Sequence, residues 1–257
     1  MLSRRALLAG LAASACTRSS SGIETMPAPP YTFGWRLVPG QVLVALIRVT
    51  RRTGERREIR SEEWAYRVLR LDRGLATLEA RSLGLGAGVT IEDRIESVPA
   101  SPGEDAQLQL DRHGRLHGIS NTDFAASVGH YAFALPFPQG PVAIHDEWPD
   151  PFAGFASALL PDTLEPRGQA RTTLSGTAIV DGIPVARLDT RGTVKSRGPQ
   201  LEIQGSARWN LLAGMPMERR LDIRASRLGG FGEAPGLLTV EVQMRHTESG
   251  TEEPSAL

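Results

Sequence analysis

The sequence predicts an all-β domain, mainly antiparallel. Apolar and polar residues alternate with period two along much of the chain, turn signals recur roughly every eight to twelve residues, and only one segment has clear helical spacing. Many short strands of this kind imply two related β-lobes, or one large curved sheet or half-barrel with one short central helix.

Taken in order, Phe33, Trp35 and Leu37 alternate in a strand-like stretch that ends at Pro39-Gly40. Val42 to Val49 is a β-favouring run, and Thr53-Gly54 reads as a hairpin tip. Trp64, Tyr66 and Val68 alternate on the next strand, and Asp72-Arg73-Gly74 turns the chain into Ala76, Leu78 and Ala80. Gly84 to Gly88 interrupts the pattern and is expected to form a flexible hairpin or bulge. Ile91 to Val98 is a further candidate strand. Leu108 and Leu110 lead into a tight turn over Asp111 to Gly114. Asn121 to Leu135 is the helix candidate: Asn121 can cap it, Phe124, Val128, Tyr131 and Leu135 share a face, and Pro136 stops it.

A proline-punctuated connector, Pro136 to Pro149, follows. Phe152 to Leu160 is apolar and fits either a short helix or a strand. Thr177–Val180, Asp181-Gly182 and Val185–Leu188 then read as strand, turn and strand, repeating the rhythm of Val68 to Ala80. Within Met217 to Ala225, Leu221, Ile223 and Ala225 oppose Arg220, Asp222 and Arg224, and Leu238 to Met244 is the cleanest alternation of all. The expected divisions are residues 1–15, 16–30, 31–135, 136–246 and a polar tail, 247–257.

Residues 1–16, MLSRRALLAGLAASAC, settle where the domain works. A positive Ser3-Arg4-Arg5 precedes the apolar run Ala6 to Ala15, which is too short to span a bilayer. That is the layout of a secretory signal. The run ends at Cys16, the one cysteine of the chain. Residues 17–30 are rich in Ser and Pro and poor in core formers, as a flexible tether is. Without Arg4 and Arg5, the 29 basic residues fall two short of the 29 acidic ones. No basic surplus remains for a nucleic-acid partner. With a single cysteine, no disulfide within the chain and no multi-thiolate metal site can form. No cofactor is implied.

The chemistry-bearing patterns are sparse. His113 and His117 flank a Gly114 turn, which argues against a metal pair. His145-Asp146-Glu147 beside Trp148 is the densest titratable group, able in principle to act as a base or an O/N metal ligand, but it also reads as a polar connector with an anchoring Trp. Glu62 and Glu63 are neighbours on a strand and point to opposite faces. Arg48, Arg51, Arg52, Arg56, Arg57 and Arg60 crowd one hairpin with only Glu55 and Glu58 against them. Arginine suits phosphate, so Arg48, Arg51, Arg52, Arg56 and Arg57 are candidate contacts for anionic headgroups, alongside the plainer reading of cross-strand Arg–Glu pairs.

Ser3 to Leu8 resembles the twin-arginine export signal, and Ala13-Ser14-Ala15-Cys16 resembles a lipobox, with Ala13 where Leu is usual. The same Ala-Ser-Ala also fits ordinary signal cleavage. The lipobox resemblance implies a diacylated Cys16, and Thr17 in place of Asp implies the outer membrane, facing the periplasm or the surface. Leu135-Pro136, Pro141-Val142 and Asp146-Glu147-Trp148, with the Gly-punctuated strands after them, resemble uncharacterised bacterial envelope lipoproteins with two β-rich halves. A vaguer similarity is to periplasmic lipoprotein carriers, whose half-barrel encloses acyl chains around a helical plug. Together these imply a non-enzymatic envelope lipoprotein held to the membrane by its anchor, with a lipid or an envelope protein as partner. In the carrier version, Ala76, Leu78, Val240 and Val242 would line an open space. The alternative is a hydrolase-like enzyme with its site at residues 145–148.

Overall fold

The computed structural model describes residues 26, 29–91, 94–97, 105–120, 124–151, 167–195, 200–225 and 235–246. Arg4, Arg5, Cys16, the Phe152–Leu160 segment and the tail from Thr247 lie outside the described residues. The first half contributes β1 (Val42–Thr53), β2 (Arg56–Asp72), β3 (Leu75–Ile91), β4 (Arg94–Ser97), β5 (Ala106–Asp111) and β6 (Leu116–Ile119). One helix, α1 (Phe124–Phe133), leads to β7 (Glu147–Asp150), β8 (Arg167–Val180), β9 (Ile183–Lys195), β10 (Gln200–Asn210), β11 (Met215–Ala225) and β12 (Gly236–His246).

All strands join one antiparallel sheet in the order β6-β5-β3-β2-β1-β12-β11-β10-β9-β8-β7, with β4 beside β3. Of the two architectures open to the sequence, the single sheet is the one formed. Each half is a meander, and the two are fused by pairing of β1 with β12, from Leu43↔His246 to Thr53↔Gly236. Two tight turns in the repeated rhythm share one conformation. Arg73-Gly74 has φ of 47° and 83°, and Asp181-Gly182 has 51° and 81°. Positive φ at both central residues is the type I′ turn, whose twist matches that of the strands it joins.

The sheet is strongly curled. In a flat sheet the β5–β6 and β10–β11 turns would lie about 25–30 Å apart, at the usual strand spacing of about 4.8 Å. Yet successive residues reach both: Trp35 N–H donates to Arg112 O at 2.8 Å and Arg36 N–H to Gly214 O at 3.0 Å. Bulges place Leu69, Leu83 and Ser175 as extra residues in β2, β3 and β8, and bulges sharpen twist. On the inner faces of β9 and β10, Gly192 and Gly205 sit where an added Cβ would strike the neighbouring strand. Only glycine fits the tight side of such a bend.

The concave side holds the core. Leu43, Ala45 and Ile47 of β1, Trp64, Tyr66 and Val68 of β2, Leu221 and Ile223 of β11, and Leu238, Val240 and Val242 of β12 are buried on it. Helix α1 lies across β1, β11 and β12, with Gly129 close against Ile47. An aromatic chain crosses the interior from Phe33 through Phe137, Trp209, Trp35 and Phe133 to Tyr66, with ring centroids 4.1–5.4 Å apart. Such pairs each add about 0.5–1.5 kcal/mol beyond their burial.

Three local expectations are corrected. Tyr31 to Leu37 forms no ladder strand, because the N–H groups of Trp35 and Arg36 are taken by turns at the sheet's end and Tyr31 pairs only with Val142. Gly84 to Gly88 does not break the chain but continues β3, paired with Glu63 to Ile59 of β2. The helix ends at Phe133 rather than Leu135, because Pro136 disfavours helical geometry in the residue before it. Ala76, Leu78, Val240 and Val242 do face inward, but they are buried in packed core instead of lining an open space.

Candidate functional site

The curl brings the two unpaired edges, β6 and β7, to either side of one cleft of about 690 Å³. Both edges are four residues long, and Pro149 removes a donor from β7, which blunts each against pairing with another chain. The connector after α1 spans the gap. Phe137 N–H donates to His113 O at 2.7 Å on one side, and His145 N–H to Leu174 O at 2.8 Å on the other. Leu116, Tyr131, Pro136, Phe137, Trp148 and Pro149 give the cleft its apolar walls, with Arg115, His117 and Gln139 at the rim. The Trp148 indole N–H donates to Pro136 O at 2.8 Å, holding its ring between wall and core.

Behind this wall lies a buried polar cluster. Arg219, on the inward parity of β11, donates to Asp150 Oδ2 of β7 at 2.7 Å, and to Ala132 O and Ala134 O at 3.2 Å each. Thr172 donates to the same Asp150 oxygen at 3.0 Å and shares a 2.9 Å bond with Thr190. Burial pulls the Arg219 guanidinium below its ordinary value, against the upward pull of Asp150. A cation on the last carbonyls of α1 also meets the negative end of the helix. This cluster fastens helix, centre and edge together. Across the core, Tyr66 Oη and His130 Nδ1 of α1 share a 2.8 Å hydrogen bond. Burial, with Glu62 nearby, raises Tyr66 well above its usual value and keeps the phenol protonated.

At the rim, Asp111 organises the β5–β6 turn. Its carboxylate accepts from His113 N–H at 2.8 Å and Arg115 N–H at 3.0 Å, and pairs with His117 Nε2 at 3.0 Å. Burial pushes its pKa up, but the bonds from His117, Arg115 and His113 outweigh it and leave Asp111 below its ordinary value. His113 is turned the other way, its Nε2 taking Arg112 Nε–H at 3.0 Å. The two histidines therefore do not converge. Among the described residues, no group of three or more His, Cys, Asp or Glu side chains is placed to hold a metal.

Residues 143–146 make a turn that enters β7 at Glu147. Asp146 Oδ2 accepts Ala143 N–H at 2.7 Å, His145 has φ 77° and is exposed, and Glu147 lies 3.7 Å from Arg171. Thr173 Oγ1–H donates to Glu147 Oε1 at 3.4 Å. The arginine hairpin divides between the faces of the sheet. Arg51 and Arg56 hold Glu58 at 3.0 and 2.8 Å, and Arg60 holds Glu62 at 3.2 Å. Arg48 faces outward, 3.8 Å from Glu241, and Arg52 and Arg57 are exposed opposite one another. Glu62 is buried while Glu63 is not, the opposed placement their adjacency implies. Of the cleft walls, Trp148 alone belonged to a site candidate of the sequence, and the Arg219–Asp150 pair to none. One signal existed: Arg219 shares parity with Leu221, Ile223 and Ala225.

No protein-family model matches the chain, and no curated protein sequence does. Several solved structures are similar. Lipovitellin, from a study of its lipid–protein interactions, aligns over 86% of this chain with TM-score 0.48 and 11% identity, and this chain spans only 27% of that one. The hypothetical lipoprotein YmcC of Escherichia coli aligns over 89% of this chain and 94% of its own, with TM-score 0.30 and 12% identity. A putative exported protein with a YmcC-like fold from Bacteroides fragilis aligns over 83% and 99%, with TM-score 0.28 and 11% identity. All three likenesses are loose.

Proposed function

We propose that this chain is a non-enzymatic lipoprotein of the bacterial cell envelope. It is exported on the Arg4-Arg5 leader and anchored, on the outer membrane, through a diacylated Cys16. Its β-domain binds an apolar ligand, a lipid acyl chain, in the cleft between β6 and β7. What carries the reading is that cleft: about 690 Å³ between two blunted sheet edges, walled by Leu116, Tyr131, Phe137 and Trp148. Apolar walls with a few polar groups at the mouth are the usual make-up of a small-molecule site. Arg115 at the rim suits an anionic headgroup.

Native mass spectrometry of the protein purified gently from its own envelope tests both parts. The expected spectrum shows a chain beginning at diacylated Cys16 and carrying additional, dissociable lipid mass. Gln139→Trp, at the exposed rim, should remove the dissociable mass and leave the anchor. A chain with its leader intact would sink the anchor, and an anchored chain with no second lipid would sink the cleft.

A further inference from the structure

The two ends of the curled sheet differ in a way the cleft does not explain. At one end lie the loop into β1 and the β2–β3, β5–β6, β8–β9 and β10–β11 turns. Among the described residues seven large apolar side chains are exposed, and five are at this end: Val38 at 61%, Leu69 at 43%, Leu71 at 46%, Ile179 at 43% and Leu212 at 41%. They sit close together. Gly40 N–H donates to Val68 O at 2.8 Å, seating Val38 beside the end of β2. Arg36, two residues before Val38, reaches Leu212 O at 2.8 Å. Leu211 N–H meets Pro184 O at 3.0 Å, which brings in the turn that follows Ile179.

The same end is basic. Arg36, Arg67, Arg70, Arg73, Arg112, Arg115 and Arg245 are exposed there, against Asp72, Glu79, Asp111 and Asp181. Asp111 is already engaged by its own turn. Arg67, Arg70 and Arg73 enter no ion pair among the described residues, whereas Arg48, Arg51, Arg56 and Arg60, toward the opposite end, are each paired with a glutamate. Tyr31, which follows the expected tether, is held near this end: its hydroxyl meets Thr177 Oγ1 at 3.3 Å, two residues before Ile179 on β8. Fully extended, residues 17–30 reach roughly 45 Å.

We propose that this end is a membrane-contact surface, laying Val38, Leu69, Leu71 and Leu212 into the interface of an anionic bilayer with Arg67, Arg70 and Arg73 on its phosphates. Protruding apolar tips ringed by unpaired arginines combine the two attractions that hold peripheral domains to membranes. That the bilayer is the one holding the tether rests on the lipoprotein reading above. The contact itself does not.

The chain beginning at residue 16 and carrying Cys16→Ser, which has neither the apolar leader nor a thiol to acylate, reads the surface alone in flotation with phosphatidylcholine vesicles containing phosphatidylglycerol. It should float with these and much less with phosphatidylcholine alone. Arg67→Gln, Arg70→Gln and Arg73→Gln together should weaken flotation at least tenfold, since each basic residue near an anionic surface is worth roughly fivefold. Leu69→Ser with Leu71→Ser should weaken it likewise, and Arg52→Gln with Arg57→Gln at the opposite end should not. Thermal melting of each exposed-residue variant verifies the fold. No flotation of Cys16→Ser on anionic vesicles, or loss only in the Arg52/Arg57 variant, overturns the proposal. The mass of the wild-type chain separately reports whether Cys16 is anchored.

Discussion

Asp150 and Arg219 meet at 2.7 Å although β10, β9 and β8 separate their strands in the sheet. Four strand spacings are about 19 Å when flat, so this one ion pair records how tightly the second half is rolled. It also joins the wall of the cleft to the end of α1. Arg219→Met leaves Asp150 buried without its cation, and breaking a buried pair costs about 3–5 kcal/mol. Urea unfolding should show that loss, and Arg219→Met with Asp150→Asn should regain part of it. If the single variant unfolds at the wild-type midpoint, the pair does not hold the roll.

Curvature itself can be tested at Gly205. A Cβ there would meet Arg220 O at 2.6 Å and Leu221 Cδ2 at 2.5 Å, on the inner side of the bend. Gly205→Val should cost about 1–3 kcal/mol, as overpacking does. At Gly176, where a Cβ meets nothing within 4 Å, Gly176→Val should be nearly neutral or slightly stabilising. Equal thermal shifts for the two would contradict a bend centred on β9 and β10.

The pH dependence follows from Asp111, whose pKa is held down by its bonds to His117, Arg115 and His113 against the upward push of burial. A carboxylate depressed in the folded state adds stability that is complete above its unfolded value. That contribution is lost as pH falls through the lower, folded value. Stability should therefore decline below about pH 4. Asp111→Asn should be less stable than wild type at pH 7 and show a shallower decline in acid, by thermal melts across pH 2–7. Parallel pH profiles for the two proteins would remove Asp111 from the account.

Period two in Leu238 to Met244 and the turn residues at Arg73-Gly74 and Asp181-Gly182 are local patterns that made the all-β class legible, and the spacing of Val128 and Tyr131 likewise marked the one helix. What stayed hidden is non-local. Nothing in the alternation of Leu43 to Val49 says that β1 pairs with a strand almost two hundred residues later. The strand-like spacing of Phe33 and Trp35 marks real burial, but turn carbonyls at the sheet's end claim the backbone. The cleft exists only because β6 and β7 are brought near each other, so its walls carry no shared spacing. Arg219 on an apolar parity was a visible irregularity whose partner could be found only by folding the sheet.

The anchor and the contact surface can be separated by how the protein leaves the membrane. A diacylated Cys16 buries two chains, which is enough for stable anchoring, whereas the arginine-ringed end binds through charges that salt screens. Wild-type protein in washed envelopes should resist high salt and require detergent. Cys16→Ala, with the export leader unchanged, should still pellet in part at low ionic strength through Arg67, Arg70 and Arg73, and should be released by about 1 M salt, where the screening length falls to about 3 Å. Immunoblots of the wash fractions distinguish the two. A Cys16→Ala chain that still needs detergent would mean that something other than the lipid holds it.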